Sequence, residues 1–131
     1  MGWAVPGVYL NEKIHRDNGE EPLSVEIEMG EPPAECQPHH EYFTQVRIVV
    51  YDGRNRVADL NGCWSRVTIS GDWLYFAKQF QTGPNHFVQV VRWRHDGSPH
   101  GVMEVLGDKI RREIFEGFEL EDDELTILYR Q

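Results

Sequence analysis

The chain has 131 residues and a formal net charge of −9, and 40% of its residues are hydrophobic. This length suits one domain spanning 1–131, with a core that needs neither a metal nor a disulfide to hold it. No stretch approaches the roughly 20 apolar residues of a membrane-spanning helix, and the acidic balance argues against binding to double-stranded nucleic acid, which needs a contiguous basic surface.

Alternating apolar and polar residues divide the chain into short segments, which is the pattern of half-buried β-strands. In chain order, the predicted strands are 8–14, 23–29, 42–51, 56–60, 63–69, 73–80, 86–95, 101–106, 109–120 and 125–129. For 109–120 a helical turn is the alternative, and a strand is favoured because Gly117 disfavours a helix interior. Residues 30–40 contain prolines and are expected to form a loop, since proline cannot donate to a β-ladder.

Glycines recur through this pattern, as expected for short strands joined by tight turns. They stand at Gly53, Gly62, Gly71, Gly83, Gly97, Gly107 and Gly117. The sequence therefore predicts an all-β fold, an antiparallel meander of about eight to ten strands. A closed or nearly closed barrel is the expected arrangement because closure removes exposed edge strands. A two-sheet β-sandwich is the alternative.

A short motif adds to the barrel interpretation. Gly62-Cys63-Trp64, set within meandering strands, resembles the Gly-x-Trp motif of the calycin class of lipocalin-like barrels. The likeness is one of architecture. In lipocalins the motif sits near the first strand and here it lies mid-chain, so no functional residue is transferred from that family.

The charge is unevenly distributed along the chain. Residues 1–41 carry a net charge of −7, residues 42–112 carry +4 and residues 113–131 carry −6. Acidic ends around a mildly basic centre suit a soluble protein whose ends pack on its centre. The sharper interpretation of the same pattern is a cationic partner or an acidic surface that mimics nucleic acid.

The alternation also sorts the side chains onto two faces. One face forms an ordinary apolar core, and its predicted residues are Tyr42, Thr44, Val46, Ile48, Val50, Val67, Ile69, Leu74, Phe76 and Phe80. The second face mixes aromatic residues with arginines and is too apolar for a freely solvated surface. The ligand-binding residues predicted from this second face and from the strand at 86–95 are Arg47, Tyr51, Trp64, Arg66, Trp73, Tyr75, Arg92 and Trp93. A purely structural role, in which arginine stems cover aromatic rings, accounts for the same pattern.

Three functions fit such a face. The first is a non-enzymatic small-molecule-binding barrel whose ligand is apolar or aromatic with an anionic end. The second is a protein-interaction module, a homodimer or a complex subunit, because interfaces concentrate Trp, Tyr and Arg. The third is stacking of single-stranded bases, which the acidic net charge disfavours.

Catalysis is a further interpretation, and the sequence leans against it. His95, His100 and Glu104 are candidate acid/base residues of a small barrel enzyme, an isomerase or a lyase. No hydrolase, phosphate-loop or metalloprotease motif occurs, and we expect neither a cofactor nor a bound metal. Cys36 and Cys63 are expected to be free thiols, and the absence of a secretory signal favours a cytoplasmic location.

Overall fold

The computed structural model describes residues 7–16, 21–30, 44–98, 100–122 and 124–131, and for residues 7–12, 29–30, 44–46 and 61–66 it describes the backbone alone. The strands are β1 (Gly7–Ile14), β2 (Leu23–Gly30), β3 (Thr44–Asp52), β4 (Asn55–Ser70), β5 (Trp73–Thr82), β6 (Asn85–Arg94), β7 (Val102–Arg111), β8 (Phe115–Glu121) and β9 (Glu124–Tyr129). One turn of 3₁₀ helix, Arg112–Ile114, precedes β8. The predicted all-β class is confirmed.

The first seven strands form one antiparallel sheet in which each strand pairs with the next in sequence. The hairpin of β8 and β9 forms a separate two-stranded sheet. Within the described residues, β1 pairs with β2 alone and β7 pairs with β6 alone, so the sheet is not closed. The barrel is therefore not confirmed, and the sandwich alternative is compatible with this arrangement.

Strand β4 belongs to two parts of the sheet at once. Its residues from Asn55 to Trp64 pair with β3, and those from Trp64 to Ser70 pair with β5. The register shifts between Trp64 and Val67, and such a bulge bends a strand and increases its twist. The strands before the bulge therefore fold over those after it.

The space between the two parts is filled by apolar side chains, which we call the inner core. These are Ile14, Leu23, Val25, Ile27, Ile48, Val50, Leu74, Phe76, Val91 and Trp93, with Val57, Ala58, Leu60, Val67 and Ile69 packed against them. Strands β1–β3 thus face strands β5 and β6 across a continuous core. Of the predicted core residues, Ile48, Val50, Leu74 and Phe76 are buried, whereas Val67, Ile69 and Phe80 are half-buried. Tyr42 and the side chains of Thr44 and Val46 lie outside the described part of the chain.

A second apolar cluster, the outer core, lies on the opposite face of β5 and β6. It joins Tyr75, Ala77, Val88 and Val90 of the sheet to Phe115 and Phe118, with Trp73, Leu106, Ile110, Leu120, Leu125 and Ile127 packed against them. The β8–β9 hairpin therefore covers this face of the sheet. Phe115 and Phe118 are each 1% exposed, and burying each stabilises the fold by roughly 1.5–3 kcal/mol.

Three sequence predictions about strand ends were wrong. Asn61-Gly62 does not separate two strands, because β4 continues through it, and Gly107-Asp108 does not end a strand, because β7 runs to Arg111. Residues 109–120 are neither one strand nor a helical turn alone. They contain the end of β7, the 3₁₀ turn and most of β8. A glycine inside a strand often marks a bulge rather than a turn, and the β6–β7 register does shift beside Gly107.

Trp93 is fully buried in the inner core, and the chain after β6 is shaped around it. Its Nε1 donates a hydrogen bond to the backbone oxygen of His100 at 3.0 Å. Gly101 has φ +69°, and a Cβ placed there would lie 2.5 Å from Trp93 Nε1 and 2.7 Å from the backbone oxygen of Arg94. Only glycine allows this close approach without displacing the ring.

We expect Gly101→Ala to destabilise the fold by roughly 2–4 kcal/mol, because it adds a steric overlap to the cost of a positive φ. The matched control is Gly97→Ala, since Gly97 also has a positive φ (+91°) but nothing within 4 Å of the added Cβ. The control should cost only about 1–2 kcal/mol, because it meets the unfavourable φ without the overlap. Urea unfolding of both variants measures the difference, and equal losses would show that packing against Trp93 contributes nothing.

Candidate functional site

The aromatic and basic residues of the outer face gather around Arg92. Tyr75 in β5, Arg92 in β6 and Glu104 in β7 lie opposite one another in register. Arg92 Nε donates to Glu104 Oε1 at 2.6 Å, and its Nη1 donates to Tyr75 Oη at 3.3 Å. Its guanidinium carbon lies 3.8 Å from the centre of the Trp73 ring. We call Trp73, Tyr75, Arg92 and Glu104 the Trp73 cluster.

The electrostatics of the Trp73 cluster are close to balanced. Burial is the largest influence on Arg92 and lowers its pKa, but the hydrogen bonds with Tyr75 and Glu104 outweigh burial, so the pKa is raised above its ordinary value. Arg94 also lies over Trp73, at 4.8 Å from the ring centre, and its Nη1 is 3.8 Å from Asp72 Oδ2. Both arginines therefore stack on the same indole while facing a carboxylate.

Arg47 and Tyr51 lie on a different surface, which β3 and β4 share and which we call the Arg47 surface. Arg47 donates to Asp59 from Nε at 3.1 Å and from Nη2 at 2.8 Å, and Arg56 Nη1 donates to the same carboxylate at 2.9 Å. The hydrogen bond from Arg47 is the main reason why the pKa of Asp59 is lowered. This surface is held together by its own ion pairs.

Among the remaining predicted ligand-binding residues, the structure describes the side chain of Trp93 alone. Trp93 is on the opposite face of β6, in the inner core. The side chains of Trp64 and Arg66 lie outside the described part of the chain, as do Cys36 and the side chain of Cys63. The described members of the predicted set therefore divide into the Trp73 cluster, the Arg47 surface and a core tryptophan.

The three candidate acid/base residues are not brought together by any described contact. His95 stacks on Trp93 with ring centres 6.3 Å apart, whereas His100 is exposed and uses its backbone oxygen to hold Trp93. Glu104 is engaged by Arg92. Among the described residues, no three His, Cys, Asp or Glu side chains are grouped as metal ligands would be.

A cleft that the sequence did not reveal opens between the main sheet and the hairpin. It has a volume of about 300 Å³ and is lined by Thr68 of β4 and by Phe118, Glu119, Leu120 and Glu121 of β8. Thr68 lies opposite Tyr75 in register, so the cleft opens beside the Trp73 cluster. Alternation within each strand does not reveal it, because the cleft exists only once the hairpin has docked.

A comparison with known proteins found no matching protein family, no similar curated protein and no similar solved structure. In the described ranges, no helix is long and apolar enough to cross a bilayer. A cytoplasmic location stays a prediction.

Because Glu104 engages Arg92, we expect Glu104→Gln to strengthen binding of an anionic aromatic probe, anilinonaphthalene sulfonate, by about threefold, the scale of one partly exposed ion pair. Fluorescence titration measures the dissociation constant. Glu116→Gln is the control, since it removes the same charge from an exposed position on β8. An equal gain in both variants would mean that net charge alone governs probe binding.

The Arg47–Asp59–Arg56 ion pairs predict a pH-dependent stability. A lowered pKa means that Asp59 stabilises the fold above the unfolded-state value of about 3.9 and loses this effect as the pH falls through its folded-state value. Asp59→Asn should lower Tm by roughly 2–4 °C at pH 7, and the gap should shrink below about pH 4. Asp108→Asn, at an exposed position in β7, is the control, and a gap that persisted at low pH would contradict the assignment.

Proposed function

We propose that this chain is a protein-interaction module that binds a second copy of itself through the edge strand β7. The supporting observation is the exposure of two apolar side chains on a strand whose outer edge has no described partner. Met103 is 45% exposed and Val105 is 58% exposed. Unpaired apolar edge strands are templates for pairing with another chain.

The positions of Met103 and Val105 show which apolar contacts a second strand would make. Met103 lies opposite Trp93 and Val105 lies opposite Val91 in register, and both of those partners are buried in the inner core. A strand added beside β7 would extend the inner core over Met103 and Val105. It would also satisfy the N–H and C=O groups along the free edge of β7.

The charge of β7 favours a second copy as the partner. The strand carries Glu104, Asp108, Lys109 and Arg111, so its own net charge is zero. The excess acids lie in residues 1–41 and 113–131. Two copies that meet along β7 therefore avoid placing like-charged segments directly against each other. Antiparallel pairing about a two-fold axis gives each copy the same interface.

The small-molecule-binding function stays a prediction from the sequence. The inner core is filled by buried side chains, and both Arg47 and Arg92 already hold carboxylates, so these observations support interaction more than ligand capture. Closure of the sheet into a barrel also stays a prediction. It competes with the proposed dimer because both arrangements use the free edge of β7.

We expect light scattering to give twice the chain mass of 15.3 kDa, and Val105→Lys to convert the dimer to a monomer. A charge that points toward an edge strand's core side blocks pairing, and the exposure of Val105 lets the folded monomer tolerate the lysine. Thr82→Lys adds the same charge to an exposed position in β5 and should remain dimeric.

The same measurement with anilinonaphthalene sulfonate separates the two functions. A dimer that binds little probe supports the interaction module. A monomer that binds one probe per chain would overturn it in favour of an internal ligand site, and a dimer unaffected by Val105→Lys would overturn the assignment to β7.

A further inference from the structure

Two phenylalanines near the turn between β5 and β6 lie outside both apolar cores. Phe80 and Phe87 are directly opposite in register, and their rings stack with centres 5.8 Å apart. We call them the aromatic pair. Both are half-buried, and neither belongs to the inner core or the outer core. The pair therefore keeps part of its aromatic surface in contact with solvent.

The exposure of Lys78 shows that the sheet face carrying this pair is open. Side chains alternate along a strand, so Phe76, Lys78 and Phe80 of β5 share the face of the inner core. Phe76 is fully buried, whereas Lys78 is exposed. The inner core thus ends at Phe76, and the sheet face beyond it reaches solvent.

Two lysines flank the aromatic pair. Lys78 is exposed beside it, and Lys109 of β7 places its Nζ 4.4 Å from the centre of the Phe87 ring. Among the described residues, neither lysine forms an ion pair. Arg111 of the same region, by contrast, pairs with Glu113. The two lysines therefore keep their charges available to an anionic ligand.

The local charge differs in sign from the charge of the whole chain. Residues 73–95 contain Lys78, Arg92 and Arg94 but neither Asp nor Glu, although the chain carries 22 acids. Arg92 and Arg94 face carboxylates of neighbouring segments. The uncompensated positive charge of this hairpin thus lies beside the aromatic pair, and the local potential, rather than the net charge, is what a ligand meets there.

We propose that the surface formed by Lys78, Phe80, Phe87 and Lys109, which we call the Phe80 surface, binds single-stranded nucleic acid. Bases stack on the exposed parts of the phenyl rings, and the ammonium groups contact the phosphates that link those bases. A single strand is required because the bases of a duplex are already stacked on one another and paired.

The aromatic pair favours a nucleic acid over an acidic peptide. An acidic peptide would satisfy the two lysines but would offer no flat π surface to the rings. A nucleobase offers one, and stacking on an aromatic side chain tolerates any base. The Phe80 surface is therefore expected to bind with little sequence preference.

The Phe80 surface goes beyond the proposed dimer and does not depend on it. Three of its four residues lie in β5 and β6, whereas the dimer uses the free edge of β7. The monomeric variant Val105→Lys should therefore still bind nucleic acid. Loss of binding in that variant would place the contact on the β7 edge and overturn the proposal.

The test is a fluorescence-anisotropy titration of the full chain with a labelled oligothymidine of about 15 nucleotides at about 50 mM salt. We expect saturable binding. Phe80→Leu with Phe87→Leu keeps apolar side chains but removes the π faces, and it should weaken the dissociation constant by about tenfold. Absence of saturable binding, or an unchanged dissociation constant in a folded leucine variant, would overturn the proposal.

A second double variant, Lys78→Gln with Lys109→Gln, tests the phosphate contacts at exposed positions that the fold tolerates. The slope of log affinity against log salt should fall in magnitude by about 1.4, because each contact with a single strand contributes about 0.7. The control is Lys13→Gln with Arg54→Gln, which makes the same charge change at exposed positions elsewhere and should leave the slope nearly unchanged.

Equal changes of slope in the two glutamine double variants would show attraction to overall charge and would overturn the proposal. A labelled octaglutamate peptide separates the other source of negative charge. Weaker binding of this peptide than of oligothymidine is the expected result. Equal binding of both ligands would assign the Phe80 surface to acidic peptides and overturn the assignment to nucleic acid.

Discussion

The structure depends on the burial of β5 and β6 on both faces. Four consecutive residues of β5, from Leu74 to Ala77, are buried, so the side chains of this strand need an apolar partner above the sheet and another below it. The inner core supplies one and the β8–β9 hairpin supplies the other. Without the hairpin, Tyr75, Val88 and Val90 would present an apolar face to water, which is unfavourable.

This double burial also explains where the arginines stand. Arg92 and Arg94 leave β6 on the side of the outer core, yet at its margin, where they are partly exposed and lie over Trp73. Their stems extend the apolar contact while their charged ends meet Glu104 and Asp72. The face that mixes aromatics and arginines in the sequence is therefore the margin of the outer core in the folded chain. Its arginines form ion pairs with carboxylates of the same chain. Compensation of this kind weakens the case for an anion site.

The alternation in the sequence predicted the strands and most of the inner core, because period-two burial is a local property. The glycines predicted turns less well. Gly53, Gly71 and Gly83 lie in tight turns, whereas Gly62 and Gly107 lie inside strands. The two uses look identical in a single sequence, since both exploit the same lack of a side chain. Trp93 was grouped with Trp73 because both are aromatic, although cross-strand register sets them on opposite faces. The docking of the hairpin, and with it the cleft, depends on contacts distant in sequence that no local pattern encodes.

Strands β7 and β8 show how charge can sort strands that offer the same backbone chemistry. Any unpaired strand offers N–H and C=O groups to any other, so selectivity must come from side chains. Along β8, Glu119 and Glu121 would face acids of a second copy in most registers, and this repulsion opposes self-pairing. Along β7, the charges balance, and the exposed side chains of Met103 and Val105 favour an apolar neighbour. The proposed self-association is thus confined to β7, because the repulsion that opposes pairing along β8 is absent there.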